Sequence, residues 1–533
     1  MSEPTHTAHK YDCIVVGSGH AGSCAALSAT EHGCARVLIL DKCPEAWAGG
    51  NGYFTAGAHR TVHAGLADLL TIVENVPPEL ASCIDVDPYS ADDFADDIVR
   101  VSEGRSDARL VRAVVDGSRA AIEWLRRTIG VEFILSFDRQ AYEVDGRLKF
   151  WGGMALSTRD GGKGLIAAHG AALERAGVET WFEAPVRELI RKDGAVVGVV
   201  VERDGKRERV YAAAIVMAAG GYESSTALRK LHLGEGWENA RVSNCSSFLC
   251  FVIQCLQVRG TPYNTGDWIP MAHAVGARLA GNWAGCHATC WASHAPTDRG
   301  DRELTNRFTK SGYPLGIMVN ARGVRFVDEG ADFRNFTYAA YGKEILQQPG
   351  GLAFQIFDAH MARRLGRDEY GDDVATKVWA DSADELAQKL VPHGLEDAEV
   401  LVRTLAEYNH AARLFAAAHP ERKWDLTVKD GRSTHGLSLP KSNWALPLEE
   451  APFLAVIIAC GITFTFGGLA IDPDTSGVLA DGSGKPIPGL YCTGEMVGGL
   501  WYDNYPGGSG LTAGAVFGRI AGKEAGARVR LNC

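Results

Sequence analysis

The chain has 533 residues, 46 % of them hydrophobic, with a net charge of −11 and a mean hydropathy of −0.08. That length exceeds one compact core, so two domains are expected, and no basic run offers a nucleic-acid footprint. The longest apolar stretch, residues 248–253, is far too short to span a bilayer, which argues against an integral membrane protein.

The first ten residues are polar and lack an apolar signal core, and the 13 cysteines show no repeated Cys-x-x-Cys, so reduced thiols in the cytoplasm are expected. Neither Cys245, Cys250 and Cys255 nor Cys286 and Cys290 has zinc-ribbon or haem-attachment spacing, and no metal is expected.

Residues 11–16 read as a buried strand. It runs into Gly17-Ser18-Gly19-His20-Ala21-Gly22, a helix over 20–32, a second strand over 36–40 and Asp41. This is the pattern of a dinucleotide-binding βαβ unit. Gly17 permits the tight turn. Gly19 lets backbone approach a pyrophosphate at the helix N-terminus, where unpaired N–H groups favour anions. Gly22 allows helix and strand to pack closely, and the Asp41 carboxylate can accept from ribose hydroxyls.

A glycine-rich segment follows over 48–58, then helical spacing over 91–127 and a helix opened by Gly161-Gly162-Lys163-Gly164 that runs to about residue 176. Strands are expected over 186–190 and 195–202, joined through Asp193-Gly194. A further buried strand begins at residue 212 and stops on Gly220-Gly221, as a sheet does where its end abuts a cofactor.

Residues 242–257 differ from both flanks, being cysteine-rich and almost uncharged. A codon beginning GT can encode Val242 and CAG can encode Gln257, so the piece is compatible with a short retained intron. The alternative is an ordinary buried hairpin, and the sequence of the mature transcript separates the two. From 284 to 451 the patterning is more charged and helical, which suggests an inserted domain, and glycine-rich sequence returns from residue 462.

Five further segments add to the first glycine motif: Gly49-Gly50-Asn51, Ala219-Gly220-Gly221-Tyr222, Thr265-Gly266-Asp267, the run from Val319 to Glu329 and the run from Ile487 to Glu495. Together they resemble the fumarate reductase/succinate dehydrogenase flavoprotein superfamily, in order and over essentially the whole chain. The resemblance implies an α/β fold with a Rossmann-like FAD-binding domain split over 1–283 and 452–533, and an inserted α+β capping domain at 284–451. It implies FAD, held noncovalently because Ala46-Trp47-Ala48 offers no attachment histidine. Gly49, Gly50 and Asn51 look like the loop along the isoalloxazine, and Glu495 like the acid at a flavin-side ribose. The rest of the expected cofactor set is Gly17, Gly19, His20, Ala21, Gly22, Asp41, Lys42, Val186, Gly220, Asp267, Ser509 and Leu511.

The chain departs from the fumarate reductase pattern where substrate binds. Gly312 stands at the position of an arginine, Phe464-Thr465-Phe466 replaces His-Thr-Met, and Asn504-Tyr505-Pro506 replaces Asn-Arg-Leu. The tail around 494–511 looks instead like the tricarballylate dehydrogenase branch, whose members oxidise tricarballylate to cis-aconitate. Tyr505-Pro506-Gly507 also resembles the YPG segment of ketosteroid dehydrogenases.

The expected function is therefore FAD-dependent introduction of a C=C bond next to a carboxylate or carbonyl, with a tricarballylate-like polycarboxylate favoured as the small-molecule carboxylate substrate. A fumarate-type reductase or 3-ketosteroid-type dehydrogenase is the alternative; a nonredox isomerase or structural FAD binder is one from another class. Tyr505 is the expected base, with Arg307 and Lys310 as runners-up. Arg60 and Arg334 are expected to grip carboxylate, and His287, Phe464 and Gly508 to contact substrate. No haem or iron–sulfur motif is present, so electrons are expected to leave to oxygen, a quinone or a partner protein.

Overall fold

The computed structural model describes residues 9–150, 152–238 and 256–532. Most of the unusual 242–257 segment, including Cys245, Cys250 and Cys255, lies outside the described residues.

The first sheet is built on strands β1 (His9–Val16), β2 (Val37–Leu40), β3 (Glu179–Trp181), β4 (Val186–Lys192), β5 (Ala195–Arg203) and β6 (Lys206–Met217). Their spatial order is β4-β5-β6-β1-β2-β3. Strands β6, β1, β2 and β3 run parallel, while β4, β5 and β6 form an antiparallel meander. The last turn of β6 also pairs in parallel with the strand Pro486–Cys492. In register, Val16 faces Met217 and Leu40, and Met217 faces Cys492. Four parallel strands thus end together, and their carboxyl ends make the crevice where open α/β sheets bind ligands.

Helix α1 (His20–Glu31) follows β1, and the C-terminal helix α2 (Ser509–Asn532) lies along it. Their contact is so close that side chains are excluded on one face of α2. A Cβ at Gly518 would stand 2.7 Å from the Ala21 carbonyl oxygen, one at Gly522 2.4 Å from that of Ala25, and one at Gly526 2.4 Å from that of His32. The four-residue spacing of these glycines places them on one stripe of the helix.

The second sheet is organised by one 17-residue strand, Phe453–Leu469, whose first ten residues are mostly buried and apolar. It pairs in parallel with Leu256–Val258 and antiparallel with Leu279–Ala292, Ala353–Phe357 and Lys377–Ala380. Residue 284, the expected start of the inserted domain, lies inside Leu279–Ala292, so this sheet draws on chain from both sides of that position. The register of that strand slips between His287 and Ala288, a bulge of the kind that re-aims a side chain. Helix Arg334–Leu346 packs on the same strand; a Cβ at Gly342 would meet the Ala288 carbonyl carbon at 2.4 Å.

One substitution tests the helix contact against a control. Gly522→Ala should destabilise the protein by about 1–3 kcal/mol through overpacking. Gly170→Ala, in helix Gly161–Arg175 with nothing within 4 Å of where a Cβ would stand, should instead stabilise by roughly 0.5–1 kcal/mol. Thermal unfolding of the two variants should move Tm in opposite directions.

Candidate active site

A large cavity, about 2060 Å³ of empty space with its open mouth included, begins at the parallel strand ends and reaches the second sheet. Its first half is backbone. Gly17 has φ +109°, and a Cβ there would lie 2.3 Å from the Ala218 oxygen. A Cβ at Gly22 would lie 2.1 Å from the Gly17 oxygen. Gly19 precedes α1 without any side-chain cap, so the first N–H groups of the helix are left to a ligand.

At the end of β2, Asp41 fixes the turn: one carboxylate oxygen accepts from Ser18 N–H (2.8 Å) and Ser18 Oγ (2.7 Å), the other from Cys43 N–H (2.9 Å). Lys42 Nζ donates to Asp267 and Thr265 Oγ1, both at 2.6 Å, tying two chain segments across the cavity wall. Deeper in, Glu495 accepts from Thr465 N–H at 2.9 Å, and Glu223 accepts from the Asn51 and Asn264 side-chain amides at 2.7 Å each. Burial first, then the neighbouring Glu223, pushes the Glu495 carboxyl well above its usual value. Burial likewise raises the Glu223 carboxyl.

Gly17, Gly19, His20, Ala21, Asp41, Lys42, Gly50, Asn51, Val186, Gly220, Asp267, Glu495 and Leu511 all line this cavity. Three expected cofactor residues stand behind the wall instead. Gly22 packs on Gly17, a Cβ at Gly49 would strike Ile166 at 2.7 Å, and Ser509 Oγ donates to the Pro506 oxygen at 2.5 Å. These small residues shape the wall from outside it.

The other half of the cavity is aromatic on one side. His287 stacks on Phe464, with ring centroids 5.3 Å apart, and meets Tyr338 and Tyr505 edge-on. The two phenol oxygens of Tyr338 and Tyr505 are hydrogen-bonded at 2.7 Å. Burial, and then the adjacent Tyr338, raises Tyr505 well above the ordinary phenol value against the opposing pull of Arg259. Burial, assisted by Arg259 and Lys343, lowers His287 well below the ordinary imidazole value, so the ring is neutral. Gly508 and Arg334 also line the cavity, and Arg334 donates to Ser311 Oγ at 3.0 Å.

Three expected substrate or catalytic cations are elsewhere, and each has a reason. Arg307 forms a two-pronged ion pair with Asp373, at 2.5 and 2.9 Å, on the surface. Lys310 is buried, its Nζ donating to the Arg307 oxygen at 2.8 Å, and burial lowers its pKa to about 7. It lies between Thr309 and Ser311, both of which line the cavity; in extended chain alternate side chains face opposite ways. Arg60 is fully buried behind the tail turn, donating through Nε to the Gly507 oxygen and through Nη1 to Tyr89, each at 2.8 Å. It braces the turn that carries Tyr505.

Several lining residues escape the sequence reading. Asn335 and Tyr338 share a helix with Arg334, and the i, i+4 spacing of Arg334 and Tyr338 is the signal that could have found the second tyrosine. Arg139, Glu369 and Arg259 come from three distant segments. Arg139 pairs with Glu369 at 3.2 Å. Burial opposes ionisation of Glu369, yet Arg139, Arg334 and the Ser311 hydrogen bonds hold its carboxyl below the usual range.

The chain matches the family described as FAD binding domain over residues 12–68 and 80–511. It belongs to that family. It is an FAD-dependent oxidoreductase related to the fumarate reductase flavoproteins. A cytochrome-type fumarate reductase of Shewanella frigidimarina is 26 % identical over 520 residues, covering 96 % of this chain and 76 % of that protein. The 4-oxocyclohex-2-ene-1-carboxylate 5-dehydrogenase of Sinomonas cyclohexanicum is 25 % identical over 610 residues, covering 96 % and 93 %. A 3-ketosteroid Δ1-dehydrogenase from Sterolibacterium denitrificans shares the fold, with a TM-score of 0.68 at 20 % identity over 98 % of this chain and 100 % of that one.

The residues present fit FAD. The side-chain-free approach at Gly17 and Gly22 and the uncapped start of α1 suit its pyrophosphate, and Asp41 and Glu495 offer acceptors at two ends of the cavity. Among the described residues, no helix is long and apolar enough to cross a membrane. Denaturing the purified protein should release yellow cofactor into the supernatant, whereas colour in the pellet would indicate covalent attachment. Gly17→Ala forces a side chain into left-handed backbone and against Ala218, and should weaken FAD binding roughly tenfold or more, read as absorbance at the flavin band per chain.

Proposed function

We propose that the protein moves hydrogen across a C–C bond next to a carboxylate or carbonyl group, with Tyr505 handling the proton. The observation that carries this reading is the hydrogen-bonded Tyr505–Tyr338 pair in the wall of the same cavity that holds the glycine cradle. Bound FAD supplies the hydride chemistry at its flavin ring.

Tyr505 is held by its turn: its own N–H donates to Asn504 Oδ1 at 2.9 Å, and Arg60 fixes the carbonyl of Gly507 two residues on. Burial keeps the phenol protonated, so Tyr505 is set to give its proton to the α carbon of an unsaturated substrate. In the desaturating direction Tyr505 must first lose that proton. Arg259, whose charge favours the phenolate, and Tyr338, which can donate to it, are the groups placed to help. His287, Phe464 and Trp501 form an aromatic wall beside Tyr505, which limits water around the proton path.

Two of the relatives support the reaction class, being named for fumarate and for 4-oxocyclohex-2-ene-1-carboxylate, both unsaturated carboxylates. Tricarballylate is supported by sequence resemblance alone, in the tail and in residues 54–58 and 462–469. The second redox partner is oxygen, a quinone or another protein. Cys13, Cys24, Cys34, Cys43, Cys83, Cys286, Cys290 and Cys492 are free thiols, which supports a reducing compartment such as the cytoplasm.

Tyr505→Phe should retain fold and FAD while electron exchange between substrate and flavin falls by roughly 10²- to 10⁴-fold. Unchanged exchange would remove Tyr505 from the proton step. The raised phenol value also sets a pH dependence. Because the active form for desaturation is the phenolate, its rate should keep climbing from about pH 8 to about pH 10, whereas saturation should lose nothing to Tyr505 ionisation over the same window. Stopped-flow flavin absorbance in each direction reads both slopes.

A further inference from the structure

We infer, building on the reading above, that the substrate carries a single carboxylate, seated on Arg259, and an apolar or aromatic body. Three arginines line the cavity, but they are not equivalent. Arg139 is committed to Glu369 and to the Asn306 carbonyl. Arg334 donates to Ser311 Oγ, which in turn donates to Glu369 at 2.6 Å, so both cations belong to one network around a buried carboxylate.

Arg259 has no such partner. It is only 7 % exposed, it enters no ion pair among the described residues, and its Nε makes no hydrogen bond. Among the described residues its side chain makes one hydrogen bond, a 3.4 Å contact from Nη1 to Thr463 Oγ1. The chain immediately before it, residues 239–255, contains no Asp or Glu. A buried guanidinium left without an anion is costly by several kcal/mol, and a ligand carboxylate offsets that cost with a planar, two-pronged hydrogen-bond pair.

The groups around Arg259 favour the same ligand. Neither ring nitrogen of His287 has a hydrogen-bond partner, and Thr309 Oγ1 is likewise unpartnered. A neutral imidazole can donate to a carboxylate oxygen without adding a second charge. Beyond them the wall is Phe464, Tyr338, Trp501 and Met154. A second or third carboxylate would face these rings, or would have to displace Glu369 from Arg139 and Arg334. A ring or hydrocarbon body would fill the same space favourably.

The test is an anaerobic titration of the FAD-loaded protein with (E)-cinnamate, tricarballylate and fumarate, following the ligand-induced shift of the flavin spectrum. Cinnamate should bind at least tenfold more tightly than either polycarboxylate. Arg259→Met should weaken cinnamate binding by roughly 10- to 100-fold at unchanged FAD content, and Arg259→Lys should recover part of the loss. Tricarballylate or fumarate binding as tightly as cinnamate, or cinnamate binding untouched by Arg259→Met, overturns the assignment.

Should Arg259→Met fail to load FAD, the ligand ranking on the unaltered protein decides. The two readings fail separately. If tricarballylate reduces the flavin and Arg259→Met spares that reaction, the redox reading stands and the single-carboxylate substrate falls. If cinnamate binds through Arg259 but no acid or ketone, saturated or unsaturated, exchanges electrons with the flavin, the carboxylate seat stands and the redox reading falls.

Discussion

The backbone contact at Gly17 is the constraint on which the rest of the site depends. The end of β1 and the end of β6 approach so closely that the space a Cβ would need at Gly17 is already taken by the Ala218 carbonyl. The same crowding recurs one turn on, between Gly22 and the Gly17 oxygen. Together these contacts seat α1 with its uncapped N-terminus facing the crevice. The stripe of glycines on α2 then clamps that helix from behind. A loss of precision at any of these points would displace the helix N-terminus, and electrostatic help to a pyrophosphate falls off within the first turn.

The second constraint is the strand Phe453–Leu469, which joins the two halves of the cavity through consecutive residues. Thr463 touches Arg259, Phe464 stacks on His287, and Thr465 donates its N–H to Glu495. The distance between the polar end of the substrate space and the acid at the cofactor side is thus set by three residues of one strand. Extended backbone cannot lengthen further, and Phe464 and Thr465 pair with the strand Leu279–Ala292, so the spacing is a property of the strand rather than of loops. Two register shifts on the neighbouring strand, between Asn282 and Cys286 and between His287 and Ala288, supply the local adjustment.

Local pattern made the first half of the site legible: the βαβ unit, its glycines and Asp41 are contiguous in sequence, and most of the expected cofactor residues line the cavity. The tail turn with Tyr505 and Gly508 was legible for the same reason. Cations were not. A motif locates an arginine along the chain, but burial and partners decide where its charge goes. Arg307 lies three residues from Lys310 yet pairs on the surface with Asp373, and Lys310 turns away because its neighbours Thr309 and Ser311 take the inward positions. Arg259 and Glu369 acquire their meaning from contacts across more than a hundred residues, which no local spacing encodes. Residue 284 likewise marks a change of composition inside one strand, at the irregularity between Asn282 and Cys286 where its register shifts.

Charge at the site is kept where titration cannot move it. Burial holds Tyr505 and His287 neutral and raises both carboxyls of the Glu223–Glu495 pair above their ordinary values. The fixed charges are guanidinium groups, which remain protonated at any physiological pH. A proton leaving a carbon acid therefore meets few mobile charges to share its energy with, and the geometry of one phenol becomes decisive. That explains the position of Arg60. It is too deeply buried to touch substrate, but it holds the Gly507 carbonyl through its side chain and the Gly508 carbonyl through its own N–H at 3.0 Å. Its charge, shared with Tyr89 and Asp97, serves to hold a turn still, and a still turn is what proton transfer over hydrogen-bond distance requires.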